Sequence, residues 1–173
     1  MKSKRFKSKG IFPEFRLAAC PFMAVVGVTF GAPAFSQNSI TGIVSVIDGD
    51  TIEIHGERIR LHAVDAIESR QKCLLPGGKE WRCGSAAANA LAEKVGRAPV
   101  VCRLLDKDQY GRFVAKCFQE GEDINAWLVA NGWALAYLQY GHDYVSEENE
   151  AKAAKRGIWA SRFVKPWEWR RGQ

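Results

Sequence analysis

Four carboxylates and two arginines stand where they could do chemistry together. Asp48 and Asp50 fall in "VIDGDTIEI" at 46–54, and Asp65 and Glu68 are three apart in "RIRLHAVDAIES" at 58–69. A single turn aims an i, i+3 pair the same way. Hard cations such as Ca²⁺ take several oxygen ligands, commonly two or three carboxylates with a backbone carbonyl and water. On spacing alone the plainer reading is favoured: Asp48-Gly49-Asp50 is a turn, and Asp65 ends a strand. "DGD" lacks the other ligand positions of an EF-hand loop. Arg60 and Arg112, the latter closing "DQYGR" at 108–112, carry the planar fork that suits phosphate. His55, His62 and His142 have no ligand-like spacing, and no Walker-type loop or G-x-S-x-G elbow is present.

The elements that would position these residues are mostly strands. "GIVSVI", "TIEIH" and "RIRLHAV" alternate, with a turn expected at Gly56-Glu57. That register puts Ile52, Ile54, Ile59 and Leu61 on one face. It sets Arg60 opposite Glu53 as a solvent-face ion pair, on the other side from Asp50. Only a bulge or sharp bend near Asp50 would let both reach one site. Residues 66–83 read as a loop. A helix follows in "SAAANALAEKV", with Ser85 as N-cap and Gly96 past its end. "PVVCRLL" and "RFVAKCF" make a second strand pair, "EDINAWLVAN" a short helix, and "SEENEAKAAKR" a helix with acids first and bases last. "WALAYLQY" is ambiguous between strand and loop. The tail "PWEWRRGQ" reads as a packing element. Strands with interspersed helices and Gly-rich turns fit an α+β, mostly β fold, a small barrel with packed helices, better than a parallel sheet.

The 173-residue chain is long enough for one cored domain. Residues 1–36 read as a signal peptide: a basic head, an apolar run, and Ala32-Pro33-Ala34 as a small-x-small cleavage pattern. The whole chain is +6, with 25 Lys+Arg against 19 Asp+Glu. Residues 1–36 hold six bases and one acid, so the remainder is 19 against 18, or +1. The basic balance is mostly the leader's and does not argue for nucleic-acid binding. Four cysteines remain after the leader, an even count that in an exported chain favours disulfides. Four cysteines allow three pairings; Cys102 and Cys117 flank the second strand pair and could face each other across it, which would leave Cys73 with Cys83. No C-x-x-C spacing supports zinc.

In order and spacing, "VIDGDTIEI", "RIRLHAVDAIES", "DQYGR" and "AKAAKRGIW" resemble the thermonuclease, or staphylococcal-nuclease-like, family over about residues 40–160. The resemblance implies an OB-fold five-stranded barrel with three packed helices, spanning 37–165, with 166–173 as a short tail. It implies cleavage of phosphodiester bonds in DNA and RNA with one Ca²⁺. Residue by residue, it makes Asp50 and Asp65 the side-chain metal ligands and Ala66 a backbone-carbonyl ligand. Glu68 becomes the general base, and Arg60 and Arg112 the phosphate-binding arginines. Tyr110 becomes a phosphate contact, and Tyr137 (or Tyr140) the nucleotide-stacking ring. Ala66, Ile67 and Gln109 stand where the family often has Thr, Pro and Lys. The expected protein is an exported monomer, periplasmic or secreted, free of membrane after leader removal and acting on single-stranded or unpaired DNA or RNA. The alternative is a non-catalytic OB-fold module that binds oligonucleotide or a protein partner. A structural envelope protein is a weaker third.

Overall fold

Alternating apolar residues build the first hairpin. The computed structural model describes residues 38–172, so the expected leader lies outside the described residues. After β1 (Ser39–Gly42) and β2 (Ser45–Val46), strands β3 (Thr51–Ile54) and β4 (Glu57–Leu61) pair antiparallel across His55-Gly56. Both turn residues have positive φ, 54° and 82°, as a type I′ turn requires. The turn is therefore one residue earlier than Gly56-Glu57, and the register moves by two. Arg60 pairs with Thr51, not Glu53, whose partner is Arg58. A shift of two preserves the faces. Ile52, Ile54, Ile59 and Leu61 are all buried, each stabilising by about 1.5–3 kcal/mol.

A turn at His62-Ala63, with Ala63 at φ 55°, splits "RIRLHAV". The chain resumes as β5 (Val64–Ala66). The expected 66–83 loop contains a small hairpin, β6 (Cys73–Leu74) with β7 (Glu80–Trp81). Helix α1 (Cys83–Val95) begins before Ser85, which does not cap it; the Ser85 hydroxyl instead donates to the Ser69 carbonyl at 3.2 Å. Gly96, at φ 50°, ends the helix.

Strands β8 (Val100–Lys107) and β9 (Phe113–Gln119) form the second pair, followed by β10 (Glu122–Asp123) and α2 (Ile124–Ala130). Asp123 caps α2 by accepting from the Ala126 N–H at 3.0 Å. "WALAYLQY" resolves into β11 (Ala134–Ala136), paired with β5, and then loop. Helix α3 (Val145–Ala153) carries Glu147 and Glu148 in its first turn and Lys152 in its last. A 3₁₀ turn (Gly157–Ala160) follows, then a fourth, short helix in the aromatic tail, α4 (Pro166–Arg171), with proline at its first position.

The fold is α+β. The main sheet runs β1-β8-β9-β4-β3-β2, antiparallel except at β4–β9, which is parallel. One core cluster joins its apolar face to Leu91, Val95, Ile124, Leu128 and Val129 of α1 and α2. A second gathers Ile67, Cys73, Cys83, Leu135 and Ile158 beneath Trp81, Trp159, Phe163 and Trp167. The cysteines pair as expected: Cys73 with Cys83, and Cys102 with Cys117 at directly opposed positions of β8 and β9. Among the described residues no helix is long and apolar enough to cross a membrane.

Candidate active site

The Asp48-Gly49-Asp50 stretch leaves the pleat, and it does so with specific partners. The Ile47 and Asp48 N–H groups both donate to the Thr51 carbonyl, at 3.0 and 3.2 Å. The Asp50 N–H donates to Asp48 Oδ1 at 3.1 Å, closing an Asx turn. Gly49 lets this bend press on β5 and α1. A Cβ there would lie 2.7 Å from the Ala66 Cβ and 3.3 Å from the Ala87 Cβ.

The bend turns the Asp50 carboxylate inward, where it is buried. Its Oδ1 accepts from Arg60 Nη1 and from the Thr51 hydroxyl, each at 3.1 Å. Its Oδ2 accepts from the Ala66 N–H at 3.0 Å. Arg60 Nη2 donates to Asp65 Oδ1 at 3.0 Å, so one guanidinium brings Asp50 and Asp65 together. This replaces the solvent-face pair with Glu53 that the sequence register implied. Burial raises the pKa of Asp50, and the Arg60 cation works against that rise. Burial likewise raises that of Asp65, opposed by Arg170 and Arg60.

Arg170 is a site residue that sequence reasoning missed. From α4 its Nη1 donates to Asp65 Oδ1 at 3.1 Å and to Glu68 Oε1 at 2.5 Å, and its Nη2 donates to Asp65 Oδ2 at 2.7 Å. The helix is held by Trp167, which stacks on Tyr137 with ring centroids 5.4 Å apart. The tail therefore packs, as expected, and also delivers a cation. Trp167 and Arg170, three apart after a helix-starting proline, were the available signal.

Glu68 follows β5 and is fixed through its backbone. Its carbonyl accepts from the Gln71 N–H at 2.8 Å, and Gly84 of α1 packs directly against that carbonyl. The buried Gln71 side chain donates to the Val164 carbonyl at 2.5 Å, and a Leu74–Arg162 bridge runs alongside. The disulfide-closed 73–83 loop is thus tied to the tail.

Arg112 enters from the β8–β9 turn. Its Nε donates to Asp108 Oδ2 at 2.8 Å, and its Nη1 lies 3.5 Å from the Thr51 hydroxyl. Asp108 also accepts from the Tyr110 and Arg112 N–H groups, at 2.9 and 3.0 Å. Burial opposes ionisation of Asp108, but the Arg112 side chain and these N–H bonds outweigh it and hold its pKa below the usual 3.8. Tyr110 is 76% exposed and lies over the Arg112 guanidinium. The polar contacts form one unbroken chain: Arg112, Thr51, Asp50, Arg60, Asp65, Arg170, Glu68.

A cavity of about 410 Å³ opens over this chain, lined by Asp50, Arg60, Glu68, Arg112 and Arg170, with Tyr110, Tyr137, Tyr140 and Gln109 at the same cavity. Of the residues singled out from sequence, Asp50, Arg60, Ala66, Glu68, Tyr110, Arg112 and Tyr137 all line it, and Asp65 lies beside it through Arg60. The four cysteines lie elsewhere. Asp48, Asp50, Asp65, Glu68 and Asp108 oppose Arg60, Arg112 and Arg170, five carboxylates against three guanidiniums, so the ionised set is net −2. An oxygen-only donor set with excess negative charge fits a hard divalent cation. Among the described residues no group of three or more His, Cys, Asp or Glu side chains is placed to hold a metal ion. A cation at Asp50 and Asp65 would complete its shell with backbone and water oxygens.

The family model described as "Staphylococcal nuclease homologue" matches residues 58–161. The succinoglycan biosynthesis protein ExoI of Rhizobium meliloti (strain 1021) is 43% identical over 129 residues, 73% of this chain and 68% of that protein. An uncharacterized endonuclease of Escherichia coli is 31% identical over 157 residues, 86% of this chain and 96% of its own length. The probable staphylococcal-like nuclease CAN3 of Oryza sativa subsp. japonica is 36% identical over 134 residues, 76% of this chain but 33% of that protein. Together with the cavity and its arginine–carboxylate chain, these matches show that the chain belongs to the staphylococcal nuclease family, with that family's OB-fold, and is a phosphodiester-cleaving hydrolase acting on nucleic acid.

Proposed function

We propose that the protein is an exported, Ca²⁺-dependent nuclease that hydrolyses DNA and RNA, with single-stranded or unpaired segments as its substrate. The observation that carries this reading is the unbroken chain from Arg112 to Glu68 beneath one cavity. Its members are the residue types that phosphodiester hydrolysis needs.

Glu68 is the general base. Its carboxylate lines the cavity and is about one-third exposed, so a water there can pass it a proton. Arg60 and Arg112 bind the phosphate and offset the charge that develops on its oxygens. Each is pre-oriented by a carboxylate, Arg60 by Asp50 and Asp65, Arg112 by Asp108. A guanidinium has five N–H donors, so both keep donors for substrate. Asp50, Asp65 and the Ala66 carbonyl would hold the cation, with Asp48 beside them. Bound Ca²⁺ adds positive charge where the phosphoryl oxygens gain negative charge. Tyr110 contacts the phosphate, and Tyr137 offers its ring to a base, braced from behind by Trp167.

Export is supported by the basic head and apolar run of residues 1–36 and by the two disulfides. The protein acts as a monomer in the periplasm or outside the cell. Turnover of single-stranded DNA and RNA oligonucleotides with Ca²⁺, and after chelation, tests the reading. Cleavage with Ca²⁺ and its loss on chelation are expected. Equal rates in both conditions would sink the calcium role, and no cleavage in either would sink the enzyme.

A further inference from the structure

Asp65 is the most enclosed acid of the site, and both of its carboxylate oxygens already accept from guanidiniums. Its side chain is 0% exposed, with Oδ1 accepting from Arg60 and Arg170 and Oδ2 from Arg170. Arg170 spends a further bond on Glu68. The two cations differ in how they are held. Arg60 sits in a central strand with its side chain 17% exposed, and it spans Asp50 and Asp65. Arg170 is 39% exposed, on a short helix, and among the described residues its side-chain bonds run only to Asp65 and Glu68. Of the two, Arg170 is the one that can leave without unmaking the hairpin.

We propose that Arg170 is the resident counter-cation of the Asp65–Glu68 pair, and that a divalent cation enters the site by displacing it. The C-terminal helix then sets the affinity of the site for metal. This rests on the reading that Asp50 and Asp65 hold Ca²⁺. Among the described residues Arg170 is the one donor to Asp65 Oδ2, and two cations on a single carboxylate oxygen repel each other, so metal and guanidinium compete there. Charge balance agrees. With Arg170 counted, the site is net −2; without it the site is net −3 and attracts a cation more strongly. The helix is a tether as well as a carrier. Trp167 stacks on Tyr137, Pro166 is buried, and the preceding Val164 carbonyl takes the Gln71 amide. This tether keeps the guanidinium near the acids at high effective concentration.

Calorimetric titration of Ca²⁺ into chelator-stripped protein, at fixed ionic strength, reads the competition without turnover. Arg170→Gln is expected to bind Ca²⁺ about two- to fivefold more tightly than wild type, the range for losing a partly exposed ion-pair competitor. Trp167→Ala keeps the charge and loosens the tether, so it should tighten binding in the same direction by less. Matching circular dichroism spectra confirm that both variants stay folded. Equal or weaker Ca²⁺ binding by Arg170→Gln overturns the proposal while leaving the calcium site standing. A raised KM with unchanged Ca²⁺ affinity also overturns it and makes Arg170 a substrate ligand. No Ca²⁺ binding by either protein removes the calcium reading, and this inference with it.

Discussion

Gly84 lies so close to the backbone of Glu68 that a Cβ at that position would stand 1.8 Å from the Glu68 carbonyl oxygen. The first turn of α1 and the loop bearing Glu68, the proposed general base, therefore share one contact surface with no spare room. Gly84→Ala must push that loop away. It is expected to destabilise by about 2 kcal/mol and to lower kcat by about tenfold to a hundredfold. Urea melts and single-turnover rates measure the two effects. An alanine variant with wild-type kcat would show that the Glu68 backbone does not set the geometry of the reaction.

Glu68 and Arg60 should separate catalysis from folding. The bond from Glu68 to Arg170 is partly exposed, so Glu68→Gln is expected to shift stability by less than about 1 kcal/mol. Its kcat should fall by about 10²- to 10⁴-fold with Ca²⁺ binding retained. Arg60→Gln instead takes a cation from two buried carboxylates, at a cost of about 3 kcal/mol, as well as losing rate. From sequence alone, loss of Arg60 should harm catalysis far more than folding. The buried bridge makes it a folding residue too. Thermal melts alongside kcat for both variants check this.

The Asp108–Arg112 clamp gives a signed pH dependence. The folded-state pKa of Asp108 is held below its usual 3.8, chiefly by Arg112 once the opposing effect of burial is overcome. The folded state therefore binds fewer protons than the unfolded state in that window. The stabilisation is present above 3.8 and fades as pH falls through the lower, folded value. Asp108→Asn should be less stable than wild type near neutrality, and the gap should close under strong acid. Asp50 and Asp65 act with the opposite sign: their raised values withdraw stability as pH rises above 3.8. Denaturant midpoints across pH for wild type and Asp108→Asn isolate the clamp.

The two disulfides should fail differently. Cys102–Cys117 spans 15 residues, and removing it is expected to cost about 3 kcal/mol with little effect on kcat, because neither cysteine lines the cavity. Cys73–Cys83 spans 10 and should cost slightly less stability. It joins β6 to the start of α1, however, where Gly84 packs on the Glu68 carbonyl and its N–H donates to that of Gln71. Its loss should lower kcat more. Paired alanine variants, assayed by melt and by turnover, distinguish the two.

Much of this site was legible as residue identity and little of it as geometry. The hydrophobic alternation placed Ile52, Ile54, Ile59 and Leu61 correctly on one face. The exact pairing went wrong by two because His55 takes a positive φ that a histidine does not advertise. That error gave Arg60 the wrong partner, Glu53 in place of Thr51, while the bend at Asp48–Asp50, which periodicity does not show, is what brings Asp50 to it. The family pattern supplied the convergence that periodicity could not, and the Asx turn at Asp48 shows how the chain achieves it. Arg170 escaped notice for a different reason. Its partners are more than 100 positions away, and no local rule connects a tail helix to a loop at that distance.

That separation also bears on when the site comes into being. The Arg170–Asp65 and Gln71–Val164 contacts span 105 and 93 residues. Contacts so distant along the chain close only after nearly all of it is available. As the chain folds, the β3–β4 hairpin, whose partners are at most nine residues apart, can form well before Asp65 and Glu68 meet their last cation. The scaffold is an early event and the finished electrostatics a late one, so a chain stopped at residue 165 would carry every residue from Asp50 to Tyr137 and still lack the cation that balances Asp65 and Glu68.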